Sequence, residues 1–242
     1  MRHTPHFLLT ERDEIRRLIR DNPWVTIVSS TASGLVASHY PFLLDEEAST
    51  GDEIVVVSHV GRPDERLHEL GEHEVMLIVQ GPHGYVSPAW YPEGQNVPTW
   101  NHITAHLWGR PEILDFDENY LVLEHLTDHF EQQVEGGRSL DLDEEGARRL
   151  SKGTVGIRIR IDRVDARAKL SQNKPAEVRE RVIAELEGDG PYAQPALAAE
   201  MRRRVELDAV ADAATPMTTD PTETDGAHMP GTTATTSTET AE

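Results

Sequence analysis

Three groups of residues in this chain have the types and spacing to do chemistry. The densest runs from Gly81 to Gly109, where Pro82, His83, Tyr85, Trp90, Tyr91, Pro92, Pro98, Trp100, His102, His106 and Trp108 gather in a sequence only 5% aromatic. Rigid prolines, flat rings and imidazoles between two strand-like segments suit packing against a planar ligand or sealing an interface. The second group, Ser58-His59-Val60-Gly61-Arg62, lies where a strand ends and a helix is about to start. Its glycine permits close approach and its arginine a bidentate grip, which suits a phosphate; a loop with a solvated arginine has the same pattern. The third, Lys169-Leu170-Ser171-Gln172-Asn173-Lys174, offers a cation, a hydroxyl and two amides on a loop between strand and helix, either for a polar ligand or for capping its own turn.

The wording of these groups is similar to a known family. Gln80-Gly81-Pro82-His83-Gly84-Tyr85-Val86-Ser87-Pro88-Ala89-Trp90-Tyr91, then Asn96-Val97-Pro98-Thr99-Trp100-Asn101, and later Lys169 to Lys174, resemble in order the PaiB family of FMN-binding negative transcriptional regulators, from about His6 to about Arg204. The resemblance implies an α+β fold, a split β-barrel of the flavin-reductase and pyridoxamine-phosphate-oxidase type with peripheral helices. It also implies a homodimer with FMN near the subunit interface. It makes the loop of Ser58, His59 and Arg62 the holder of the FMN phosphate, and Lys169, Gln172 and Asn173 cofactor or interface contacts. His39, Gln80, Trp100 and Asn101 complete the expected flavin pocket, while Trp90 and Tyr91 go to packing or the dimer contact. The chain departs from the family after the arginine, where the usual Asn-Pro and a following Trp are replaced by Asp64-Glu65 and Leu67. An acid there is unfavourable beside a phosphate unless it points away or pairs with Arg62 or Arg66.

The elements that must position these groups are legible as patterns. Thr10 to Asp21 reads as an amphipathic helix capped by Thr10, with Ile15, Leu18 and Ile19 on one face and Asn22-Pro23 ending it. Trp24 to Ser30, a turn at Ala32-Ser33-Gly34, and Leu35 to Leu44 read as a hairpin. Glu53 to His59 and Val75 to Val79 are strands flanking a short helix from Pro63 to Leu70. A strand from Ile103 to Leu114 follows, then helices over Asp117 to Val134 and Asp143 to Leu150, and a strand over Gly153 to Ile161. Pro175 opens a helix with Val178, Val182, Ile183 and Leu186 on one face, and Leu197 to Val210 is the last. The expected domain is 1–210; the remainder, 211–242, with eleven threonines and no Lys or Arg, reads as a disordered acidic tail.

Composition bounds the rest. A chain of 242 residues without cysteine has no disulfide, thiolate metal site or cysteine nucleophile. The pairs His102/His106 and His125/His129 lack the Glu of an H-E-x-x-H motif and read as solvated histidines, with no metal expected. Nothing resembles a P-loop, a G-x-G-x-x-G fingerprint, a nucleophile elbow or a basic recognition helix. No signal core or membrane span is read, which implies a cytoplasmic protein. The net charge is −20, and only Lys152, Lys169 and Lys174 are lysines. That balance suits a halophilic source and opposes direct DNA contact, which needs a basic face, so a DNA partner comes only through the resemblance. Other readings of the same pocket are an NAD(P)H-dependent flavin oxidoreductase, a binder of the deazaflavin F420, or a cofactor-free dimeric adaptor.

Overall fold

The computed structural model describes residues 4–94 and 97–214, and its strands make two antiparallel sheets wrapped into a split barrel. β1 (Trp24–Thr31) and β2 (Gly34–Pro41) form the expected hairpin, its turn secured by Thr31 Oγ1 donating to Gly34 O at 3.0 Å. Gly34 sits at φ +113°, a conformation that favours glycine. The short β3 (Leu43–Leu44) does not prolong this hairpin but pairs in the second sheet with β4 (Val55–Gly61). α1 (Arg12–Asp21) precedes the hairpin, and after β4 come α2 (Arg62–Leu67), β5 (Val75–Val86), β6 (Thr99–Gly109), β7 (Pro111–Ile113), α3 (Phe116–Glu131), α4 (Glu144–Ser151), β8 (Thr154–Arg160), β9 (Arg163–Lys169), α5 (Ala176–Glu187) and α6 (Pro195–Ala214). The sheet orders are β2-β1-β5-β6-β9 and β3-β4-β8-β7. Residues 215–242, most of the tail expected to be disordered, lie outside the described residues.

Several expectations are corrected. Thr10 does not cap α1: its backbone N–H and hydroxyl both turn to Glu11 Oε2, and Glu11 takes the cap position without a side-chain bond to the helix. The aromatic segment is mostly strand, because β5 continues to Val86 and β6 starts at Thr99, with Tyr85 opposite Trp100. A register shift between Gln80 and His83 absorbs Gly81 and Pro82, where proline has no N–H for the ladder. The strand expected over Ile103 to Leu114 is two, since the chain changes sheet after Gly109. β9 was not anticipated: its apolar positions are Val164, Ala166 and Ala168, two of them small, among Arg163, Asp165, Arg167 and Lys169.

The two sheets differ in what covers them. Alternate residues of β1, β5, β6 and β8, among them Val25, Ile27, Leu77, Val79, Ala105, Leu107, Ile157 and Ile159, are buried in one core. The second sheet is also covered outside by α3, through Val57 and Leu43 against Leu114, Val122 and Leu126. This is why four successive β4 residues, Val55 to Ser58, are buried. On the five-stranded sheet the outward residues of β1 and β2, including Trp24 at 65% and Leu35 at 81% exposure, remain open. α1 is fixed by Arg16, which donates to Gly51 O at 2.5 Å and Glu53 O at 2.8 Å.

The change of sheet makes Gly109 a point of no tolerance: a Cβ there would lie 2.2 Å from Arg160 O and 2.7 Å from Ile159 Cγ2. Gly109→Ala is expected to lose about 2 kcal/mol or more, read as a drop of several degrees in Tm. Gly190→Ala, with open space at the new methyl, should stay within about 0.5 kcal/mol. Equal Tm values for the two variants would contradict this packing.

Candidate functional site

Pairing of β6 with β9 sets His102 opposite Lys169 and thereby brings Thr99-Trp100-Asn101 against the turn that follows β9. Asn101 is fully buried, and its Nδ2 donates to Ser171 Oγ at 2.9 Å. Ser171 is itself buried and holds φ +60°, a left-handed conformation that costs a non-glycine residue energy and persists where neighbours fix it. Lys174 N–H donates to Ser171 O at 2.9 Å and closes the turn. Gln172 is wholly engaged: its Oε1 accepts from Leu170 N at 2.7 Å, and its Nε2 donates to Ala168 O at 2.6 Å and His6 O at 3.0 Å. It therefore positions the turn.

Around this turn lies a cleft of about 220 Å³, lined by Tyr91, Thr99, Lys169, Ser171, Asn173 and Lys174 among others. Lys169 Nζ donates to Trp100 O at 2.7 Å and to Thr99 Oγ1. Burial, and then the nearby Lys174 charge, push its pKa down. Lys174 Nζ stands 5.0 Å from the Tyr91 ring centroid, a cation–π contact. Among the described residues no Asp or Glu lines the cleft. Its cations, hydroxyls and amides fit an anionic, oxygen-rich ligand such as a flavin nucleotide.

Beside the cleft, Trp100 is 56% exposed, edge-on to Tyr85 at 6.0 Å, and Tyr85 meets Tyr192 at 4.8 Å. His83 pairs opposite His102, and Gln80 Nε2 lies 3.2 Å from His83 Nδ1. Gln80, His83, His102, Lys169 and Trp100 thus come together along one end of the sheet. Burial lowers the His102 pKa, helped by the Lys169 charge and by His83. Trp90 packs against the core, and Tyr91 is buried while also reaching the cleft.

The remaining candidates stand elsewhere. His39 is on the open sheet face, stacked on Trp24 at 6.4 Å and 17°. Ser58 is buried and donates to Pro41 O at 2.6 Å, and none of Ser58, His59 and Arg62 lines the cleft. His59 Nδ1 is buried without a hydrogen-bond partner, and burial lowers its pKa. Arg62 Nε donates to Lys152 O at 2.7 Å. The Asp64 carboxylate turns to Tyr40, its Oδ2 accepting from Tyr40 Oη at 2.6 Å. Burial first, then that bond, raise the Tyr40 pKa. Thr99, Ser171 and Lys174 also line the cleft, although the resemblance does not place them among the flavin contacts; all three lie within the quoted motifs. The signal available was lysine scarcity. Among the described residues no group of three or more His, Asp or Glu side chains could hold a metal ion, and no helix is long and apolar enough to cross a membrane.

Comparison with known proteins defines the class. Residues 1–163 match the family model described as "Putative FMN-binding domain", and the chain belongs to that family. It is a flavin-binding protein of the PaiB type. It is 29% identical over 187 residues to the Protease synthase and sporulation protein PAI 2 of Bacillus subtilis, covering 76% of this chain and 88% of that one. An uncharacterized protein of Saccharomyces cerevisiae is 32% identical over 114 residues, 44% of this chain and 66% of the other. Among solved structures, the FAD and Heme binding protein from Mycobacterium smegmatis is 19% identical and superposes with a TM-score of 0.50, over 76% of this chain and 80% of that one. That likeness speaks for the fold.

Four histidines, His59, His68, His102 and His106, have pKa values pushed down chiefly by burial. His68 is the most enclosed, its ring between Ser29 Oγ at 2.8 Å and Ser38 Oγ at 3.0 Å. Each is neutral in the fold and protonates more readily when unfolded, so their contribution is complete above about pH 6.5 and is lost as pH falls below it. The urea midpoint is expected to fall between pH 7.5 and 5.5, and less so in His68→Gln. A midpoint that holds or rises at pH 5.5 would contradict the assignment of buried neutral rings.

Proposed function

We propose that this chain is an FMN-binding homodimer that acts as a negative regulator of transcription through its flavin state or a partner protein. The observation that carries the reading is the cleft between Thr99-Trp100-Asn101 and Lys169 to Lys174, where two motifs 70 residues apart meet through the Asn101–Ser171 bond. Bound flavin supplies reversible two-electron chemistry. On this chain Lys169 and Asn173 offer hydrogen bonds to the flavin, Asn101 and Gln172 hold the turn, and Trp100 offers an exposed ring beside Tyr85.

A 220 Å³ cleft is below the roughly 300–1,000 Å³ typical of a complete site for a drug-sized ligand, so a second copy is assigned to close it. The open face of the five-stranded sheet supports that partner. Trp24, with His39 stacked on it, is exposed at one end of the β1–β2 hairpin and Leu35 at the other, which supports a contact along this face. His39 belongs to this contacting wall. A net charge of −20 supports action through a protein partner over direct operator binding. A second reading, an NAD(P)H-dependent flavin oxidoreductase, draws on His102, which stands opposite His83 and Lys169 at this end of the sheet.

The test is titration of the purified protein with FMN by visible absorption, with sedimentation velocity on the same sample. A shifted flavin spectrum on a dimer is expected, and Trp100→Phe should weaken binding or relieve fluorescence quenching. Flavin that NADPH leaves oxidised under anaerobic conditions favours the regulator, and bleaching favours the oxidoreductase. A flavin-free monomer would overturn the proposal.

A further inference from the structure

A sheet edge presents a row of unpaired backbone groups, and proteins protect such edges by shortening, charging or covering them. The two sheets here have four edges, and three are protected. β3 has two residues and β7 three, the first of them Pro111. β9 is covered by the N-terminal segment, through a bridge from Leu8 to Arg167 and the Leu9 N–H bond to Ala166 O at 3.0 Å. The fourth edge, β2, is eight residues long and holds no Lys, Arg, Asp or Glu in a chain that is 27% charged.

Pairing with β1 decides which backbone groups of β2 are spare. Bonded and non-bonded pairs alternate along an antiparallel ladder, and Phe42 N–H donates to Pro23 O at 2.8 Å, one step beyond the Trp24–Pro41 pair. Counted back from that bond, Tyr40, Ser38 and Val36 turn their backbones to β1, and His39, Ala37 and Leu35 turn theirs to the edge. Among the described residues the N–H and C=O groups of these three have no partner, and all three residues are exposed. The spare stretch is bounded by the turn at Ala32-Ser33 and by Pro41, which lacks an N–H and whose O accepts from Ser58 Oγ at 2.6 Å.

We propose that the β2 edge pairs with β2 of a second copy of this chain, antiparallel across a two-fold axis at Ala37, joining the two five-stranded sheets into one. Only this register uses all three spare residues of both copies, setting Leu35 of each opposite His39 of the other. A second copy fits because the strand is uncharged: two chains that each carry −20 can approach here without like charges opposite one another. The contact does not rest on the flavin reading, since the cleft lies beside β9 at the other edge of the same sheet. A strand pair this short is smaller than the roughly 1,200 Å² of a standard interface, so it forms at high protein concentration.

The chain has no cysteine, so a single introduced one reports alone. Bonded antiparallel pairs hold their Cα atoms about 5.5 Å apart, within a disulfide's span. Ala37→Cys, oxidised in about 1 M salt where the Debye length is about 3 Å, is expected to give mostly covalent dimer by non-reducing mass analysis. Gly190→Cys, exposed and with open space for its side chain, should stay largely single. Ala37→Lys sets like charges opposite each other across the axis and should sediment more slowly than the unaltered protein at the same high concentration. Cross-linking of Ala37→Cys no faster than that of Gly190→Cys, or equal sedimentation of Ala37→Lys and the unaltered protein, would overturn the edge pairing. Either failure leaves the flavin reading standing, because FMN titration judges the cleft on its own.

Discussion

The buried bond between Asn101 and Ser171 is the contact on which the site depends. It joins the start of β6 to the turn after β9, and it operates only because the β6–β9 ladder has already set His102 against Lys169. An amide and a hydroxyl this deep must find partners, and each supplies the other's. The bond also fixes Ser171 in its left-handed conformation, which aims the flanking residues in opposite directions. Gln172 goes back to the strand and the N-terminal segment, while Lys169, Asn173 and Lys174 face the cleft.

Charge is organised on two scales. Arginines tie the helical periphery to itself: Arg17 of α1 reaches Glu200 of α6 at 2.6 Å, Arg203 of α6 returns to Glu14 of α1, and Arg202 of α6 meets Glu187 of α5 at 2.7 Å. The partly buried α1–α6 pairs are shielded from water and salt, whereas Arg202–Glu187 is exposed and adds little. At the cleft the rule reverses. Among the described residues its lining has no carboxylate, and lysines replace arginines, giving compact point charges where the periphery uses planar forks.

Long periodic elements were legible in the sequence. Val25 and Ile27 of β1, the continuous Val55 to Val57 run, and the Val178, Val182, Ile183 and Leu186 face of α5 all announce their burial through apolar pattern. What stayed hidden depends on partners distant in sequence. β9 has too little apolar content to declare itself without the β6 ladder, and the bulge between Gln80 and His83 hides how far β5 extends. In the site, the motifs marked Trp100, Asn101 and Lys169 as neighbours-to-be, but nothing local separates Gln172, which positions, from Asn173 and Lys174, which face the cleft. Asp64 shows the same limit, since its partner Tyr40 lies on a strand in the other sheet.

The central claim is that a flavin occupies the cleft made by the Asn101–Ser171 junction. A crystal structure of the full chain grown with FMN tests it most directly. The account predicts flavin density in that cleft, with the ring beside Trp100 and a second copy of the chain covering it. Flavin density anywhere else on the protein, with this cleft left to solvent, would contradict it.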